Sequence, residues 1–195
     1  MKKFELTSEF ITNIFGTKLF RIKALIEFGN VKAGELGGFV EKEENLNHEG
    51  NAWVYGNARV YGDARVCDDA RVCGNARVYG NAWVYGNARV CDDARVYGNA
   101  SVYGNAWVCG DARVCGDARV YGNADYATVH GFGSEYRTTT FFKTKAGEIG
   151  VRCGCFYGNL SEFRKKVVET HGETKKAKEY LMLADLMEFR FSDNS

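Results

Sequence analysis

From Gly50 to Tyr121 the chain runs through 12 hexapeptides without a gap, each a variant of Gly-Asn-Ala-Arg-Val-Tyr. Self-similarity this strict decides the architecture before residue propensities are consulted: a unit of six residues cannot bury a hydrophobic face alone and must stack on its neighbours. Within each hexad Ala and Val stand two apart, as do Ala58 and Val60, and share one side of a short strand, while Arg59 between them points to the other. The Ala/Val side is therefore the interior and the Arg or Trp side the exterior. The Gly-Asn or Gly-Asp that opens the next hexad suits a bend, because glycine accepts positive φ and Asn or Asp can bond to nearby backbone. Three edges and three corners would close a triangular coil of 18 residues, so the 72 residues of the repeat make about four complete coils. Each coil should sit about 4.8 Å above the last. A thirteenth hexad begins at Gly122-Asn123-Ala124 and then breaks off.

The flanks carry their own patterns. Residues 17–28 alternate apolar and polar through Leu19, Phe20, Ile22, Ala24 and Ile26, as a strand leading into the repeat would, and such a segment is needed to cover the first coil. Gly34, Gly37 and Gly38 precede no helix, so they read as a turn into the first coil rather than a phosphate loop. After the repeat, residues 138–143 and 148–153 read as two strands about a Lys145-Ala146-Gly147 turn. Asn159-Leu160-Ser161-Glu162 resembles a capping box, opening a helix with Leu160, Phe163 and Val167 on one face and His171-Gly172 at its end. A second helix over roughly 174–188 places Ala177, Leu181 and Ala184 on one stripe.

The repeat resembles the left-handed β-helix of hexapeptide-repeat proteins, with an aliphatic residue on each edge and a small residue four positions later: Val54 with Ala58, Val60 with Ala64, and so on to Val114 with Ala118. The left hand and a homotrimer with parallel axes are what this resemblance implies, since ordinary crossover connections are right-handed. The chain is more closely similar to the GNARVY-rich proteins of phages and prophages. In those a short amino-terminal β segment ends in a motif like Val31-Lys32-Ala33-Gly34-Glu35-Leu36-Gly37-Gly38-Phe39-Val40-Glu41. The expected fold is mainly β: a left-handed parallel β-helix over residues 50–127, an N-terminal β cap over 1–49, and a C-terminal α+β unit, a hairpin plus two helices, over 128–195.

Charge narrows the function classes. Lys plus Arg number 26 against 25 for Asp plus Glu, so no bulk basic field supports nonspecific nucleic-acid binding and no acidic excess supports DNA mimicry. The opening Met1-Lys2-Lys3-Phe4-Glu5 lacks the apolar core of a secretory signal, and no stretch approaches the ~20 apolar residues that cross a bilayer, which points to the cytoplasm and to no membrane partner. Five of the seven cysteines stand where other hexads carry Tyr and read as reduced side chains rather than a disulfide framework. Cys73, Cys91 and Cys109 share a column one coil apart, and Cys153 and Cys155 form a close pair. The absence of paired histidine spacing argues against zinc, and no metal or cofactor is expected.

The outward residues are the candidate site. Taking every third hexad puts Arg59, Arg77, Arg95 and Arg113 in one column, which is self-repelling at about 5 Å spacing unless anions intervene. Either these side chains splay into water and pair with Asp63, Asp93 or Asp111, or faces meet at a trimer seam and form an arginine groove for phosphate or carboxylate. Trp53, Arg71, Arg89 and Trp107 fall on a second face and Arg65, Trp83, Ser101 and Arg119 on a third, so Trp53, Trp83 and Trp107 join the arginines as candidate ligand-binding residues. Tyr61, Tyr79 and Tyr97 should stack at the corner beside the first column, as simple corner packing. No catalytic residue is expected. Hexapeptide-repeat acyltransferases use a histidine near the coils, whereas His48, His130 and His171 all lie outside the repeat. The leading expectation is a non-catalytic, phage-type trimeric platform that binds an anionic, nucleotide-like molecule or a host protein to counter host defence. The alternatives are an acyl-CoA-dependent transferase with His130 as base, and a structural spacer.

Overall fold

The computed structural model describes residues 1–133 and 135–192. The repeat folds as a parallel β-solenoid. Strands β1 (Phe4–Thr12), β2 (Lys18–Ala24) and β3 (Leu36–Val40) lead into twelve two-residue strands, β4 to β15, running from Trp53–Val54 to Arg119–Val120. Each is the Arg-Val, Trp-Val or Ser-Val pair of one hexad, and each up to β12 pairs in parallel with the strand 18 residues on, as Arg77 with Arg95 and Val78 with Val96. Three sheets result, and every Ala from Ala52 to Ala118 and every Val from Val54 to Val120 in the hexad positions is fully buried between them.

Backbone bonds between turns hold the stack, as where Arg77 N donates to Ala94 O at 2.9 Å and Tyr79 N to Val96 O at 3.0 Å. Side chains repeat the ladder at the corners, with Asn81 donating to Asn99 at 3.1 Å and Asn99 to Asp117 at 3.2 Å. Gly98 shows why the corner asks for glycine: its φ is +71°, and a Cβ there would lie 2.9 Å from Gly116 N. Where the repeat substitutes aspartate at this position, Asp68 and Asp92 keep the left-handed φ of 58° and 59°. Their carboxylates accept the N–H of Gly86 and Gly110 on the next turn, at 2.9 and 3.0 Å, which offsets part of the conformational cost.

The solenoid is one turn longer than the hexads alone supply. Phe39 and Val40 pair with Arg59 and Val60, and Leu46 with Val66, 20 residues on rather than 18, so one face is five parallel strands deep. Gly37 and Gly38 therefore lie in strand β3 rather than in the expected turn. A Cβ on Gly37 would meet Val54 O at 2.6 Å, and one on Gly38 would meet Ala58 O at 2.6 Å, so close packing of two turns is what excludes a side chain. Of the three glycines only Gly34, at φ +87°, serves the turn.

Because each N–H donates toward the C-terminal end, the first turn presents orphan carbonyls and the last presents orphan amides. The two ends are closed by opposite chemistry. At the first, Lys3 Nζ donates to Gly50 O (3.3 Å) and Ala52 O (3.0 Å), and Asn45 Nδ2 donates to Gly62 O (3.0 Å) and Ala64 O (2.8 Å). At the last, Thr140 Oγ1 accepts from Arg113 N at 3.0 Å and Asn123 Oδ1 from Trp107 N at 2.8 Å. Apolar plugs accompany them: Phe4, Ile22 and Val31 at one end and Phe142 at the other belong to the solenoid core.

The C-terminal unit is larger than a hairpin. The expected pair, β17 (Arg137–Lys143) and β18 (Ile149–Cys153), is flanked by β16 (Tyr126–Phe132) and β19 (Phe156–Asn159) in one antiparallel sheet. Its neighbours Phe141 and Phe142 point to opposite faces. Phe142 enters the solenoid core, while Phe141 packs with Leu160, Phe163 and Val167 of α1 (Leu160–His171) and with Ala184 and Met187 of α2 (Lys175–Phe191). The tail thus caps its own solenoid. Asn159 and Glu162 form the capping box at 2.8 and 2.9 Å. On α2 the buried stripe includes Ala177 and Ala184 but continues through Tyr180, Leu183, Met187 and Phe191, leaving Leu181 half-buried. No helix among the described residues is long and apolar enough to cross a membrane.

Lys3 gives a pH test of the first cap. Burial lowers its pKa from 10.5 to about 8, with Asp69 opposing. Below pH 8 the lysine is charged in both folded and unfolded chains and the desolvation cost is fully present. Between about pH 8 and 10.5 the unfolded chain keeps a proton that the folded chain has released, so this group makes stability rise with pH. In paired denaturant titrations, the stability of wild type relative to Lys3→Met should increase across that window, and a flat difference would remove Lys3 as the buried cap.

Candidate functional site

Alternation along each two-residue strand turns its first residue outward and the valine inward, and the solenoid repeats this on every turn. Arg59, Arg77, Arg95 and Arg113 consequently stand in register on one face, each half-buried along its stem. Two residues on, Tyr61, Tyr79 and Tyr97 stack beside them with ring centroids 5.0 and 4.9 Å apart and planes within 1°. Burial pushes all three phenols up in pKa, so they are neutral neighbours to the cations.

The carboxylates expected to pair with this column do not. Asp63 binds Lys42 at 2.8 Å, and Asp93 and Asp111 lie exposed at corners. Corner acids elsewhere are held in the Asn/Asp ladder, as Asp69 is by Asn51 at 2.7 Å. Among the described residues no ion pair involves any of the four arginines.

Residues outside the repeat extend the face. Phe39 takes the outward place above Arg59, and Arg21 lies over its ring at 4.4 Å while held by Glu9 (2.8 Å) and Gly37 O (2.8 Å). At the far end Arg152 on β18 comes within electrostatic reach of Tyr79, Tyr97 and Cys115. Hexad spacing alone holds no signal for Arg152, because the C-terminal sheet brings it there.

The tryptophans separate. Trp83 and Trp107 are 46% and 49% exposed, but Trp53 is 0% exposed and belongs to the core of the first cap. Its ring packs edge-on against Phe4 at 6.2 Å and Phe28 at 5.3 Å, because the N-terminal segment folds over the first turn. Trp53 therefore cannot bind a ligand, although its hexad is like the others. Trp83 carries Arg65 over its ring at 5.6 Å and forms one wall of a groove of about 550 Å³ shared with Glu43, His48 and Cys67. Its other side opens on a second groove, of about 470 Å³, where Arg119 hydrogen-bonds Ser101. Within one chain the arginine column, Trp83 and Trp107 occupy three different faces.

The histidines lie in separate settings. His48 Nδ1 accepts the Lys3 N–H at 3.1 Å while its ring stacks on Phe4 at 4.4 Å. His130 is exposed, with Nδ1 at 3.0 Å from Thr138 Oγ1, and His171 stacks on Tyr180 at 5.9 Å. The Gly131-Phe132-Gly133 segment beside His130 is tied into the C-terminal unit, where Tyr180 Oη donates to Phe132 O at 3.1 Å. All seven cysteines are free thiols, and no group of three or more described His, Cys, Asp or Glu side chains is disposed to hold a metal ion.

The contrast among tryptophans is measurable by urea denaturation. Trp53→Arg, which installs the commonest residue of that hexad position, should cost at least about 3 kcal/mol because it replaces a packed ring by a buried charge. The same change at Trp83 or Trp107 should stay within about 1 kcal/mol. Equal costs at all three sites would refute the division between cap and surface.

The YdcK beta solenoid repeat family matches residues 52–68, 70–86, 94–110 and 112–124, all within the stretch of stacked hexads and its immediate end. A search of curated proteins finds no match to the chain. Repeat, register and family match agree on one conclusion: this chain is a repeat β-solenoid, similar in its turns to the YdcK beta solenoid repeat.

Proposed function

We propose that this protein is a non-catalytic, phage-type binding protein of the hexapeptide-repeat class. It acts in the cytoplasm as a homotrimeric left-handed β-helix platform that takes an anionic, nucleotide-like small molecule or a host protein, in the service of countering host defence. The observation that carries this reading is the column Arg59, Arg77, Arg95 and Arg113, in register and without a carboxylate partner among the described residues. Adjacent guanidinium groups about 5 Å apart repel by roughly 1 kcal/mol in water and about 3 kcal/mol at an effective dielectric of ~20. The core does not need them, since the buried Ala and Val supply it. An anion laid along the column would relieve that repulsion with charge-assisted, bidentate hydrogen bonds. The neutral tyrosine stack beside it adds a flat apolar wall. Trimer formation supplies a reason for the tryptophans: parallel axes would bring the face of one subunit against another face of its neighbour, so that Trp83 or Trp107 could border the arginines at a seam.

The test combines native mass spectrometry after incubation with a nucleotide mixture, calorimetry with the retained species, and light scattering for oligomeric mass. Three chains per particle and at least one retained anion are expected. Arg77→Ala/Arg95→Ala should weaken binding by about ten-fold or more, with the melting temperature unchanged or raised. Failure to retain any anion or host protein, or unaltered binding in the double variant, would overturn the reading.

A further inference from the structure

A second column has no part in that proposal. Tyr55, Cys73, Cys91 and Cys109 occupy one corner on successive turns, following strand pairs that are in strict register, Val72 with Val90 and Val90 with Val108. Cys73 N and Cys91 N each donate to the turn below at 2.9 Å, so the two cysteines are fixed directly above one another. The distance between like side chains at such a corner is set by the solenoid rise, and the neighbouring tyrosine column measures it as 4.9–5.0 Å. Two bonds from thiolates to one soft cation, laid end to end, span a little less than that step. The Cys73 and Cys91 thiols are electrostatic neighbours across that step.

We propose that Cys73 and Cys91 form a linear, two-coordinate site for a soft monovalent cation of the copper(I) type. Ligand type and number decide the metal. Thiolates select soft ions, and a stacked pair of sulfurs with no third His, Cys, Asp or Glu in place among the described residues cannot complete the tetrahedron that zinc takes. Cys109, the next rung, has Tyr126 beside it, whose hydroxyl donates to Trp107 O, and the pair above is assigned as the site. Both thiols are half-buried and reachable from solvent. Binding breaks two S–H bonds and forms two S–metal bonds; two protons go to solvent and no electron is transferred, so the bound unit carries one negative charge. Arg71 and Arg89 project from the same outward side two residues before each cysteine and offset that charge, and Trp107 borders Cys91.

The test is an anaerobic titration of the fully reduced protein with Cu(I) in competition with bicinchoninate, which out-competes single thiols. Wild type should capture one equivalent, and X-ray absorption should show two sulfur ligands at a distance shorter than the about 2.3 Å of a four-coordinate zinc thiolate. Cys91→Tyr places at this corner the residue that other hexads carry there and should keep the melting temperature while losing that equivalent. Cys73→Ser, of nearly unchanged size, should lose it too, and Cys155→Ser should retain it. Retention in either column variant, loss in Cys155→Ser, or a shell of three or four ligands would overturn the proposal.

Discussion

The interior of this solenoid is a narrow triangle that accepts one alanine and one valine per edge, and almost everything else follows from that limit. A turn closes in 18 residues only if each edge is the same length, and the hexads stack in register by placing Ala on Ala and Val on Val. A larger residue would spread one turn and break its bonds to both neighbours, whereas a smaller one would leave a void that cannot collapse. The hexads therefore admit no variation at Ala and Val while tolerating Arg, Trp or Ser on the outside and Tyr or Cys at the corners.

The same directional ladder that makes the stack regular makes its two ends chemically different. Donors are needed where carbonyls are exposed and acceptors where amides are, and the chain supplies a lysine and an asparagine at the first and a threonine and an asparagine at the last. Both caps also insert aromatic or aliphatic side chains into the core, which closes the sheet edges against end-to-end association. The C-terminal sheet does this with one face and packs two helices on the other, so a segment with no resemblance to the repeat becomes part of its stability.

Outside, the constraint is relaxed and chemistry becomes possible. A period of 18 converts any residue that recurs every third hexad into a column, which is how four arginines, three tyrosines and three cysteines each come to stand one above another. Columns of neutral rings stack favourably. Columns of cations do not, and among the described residues no carboxylate pairs with these four, which sets that face apart from the grooves beside Trp83.

How much of this was legible in the hexads depends on distance along the chain. Ala58 and Val60 declare the interior, Arg59 the exterior and the 18-residue period the columns, because all are consequences of local alternation repeated without error. The α1 capping box at Asn159 and Glu162 was equally local. Trp53 was not: its hexad matches the others, but Phe4 and Phe28 return from outside the repeat and bury it. Nor were the extra turn through Phe39, the exclusion of side chains at Gly37 and Gly38, or the arrival of Arg152 beside Tyr79 and Tyr97. The sequence by itself determined the solenoid and the outward columns, since periodic short-range pattern specifies register. Only the tertiary structure decided which outward residues remain open and which carboxylates reach them, because those depend on where non-repeating segments fold back in space.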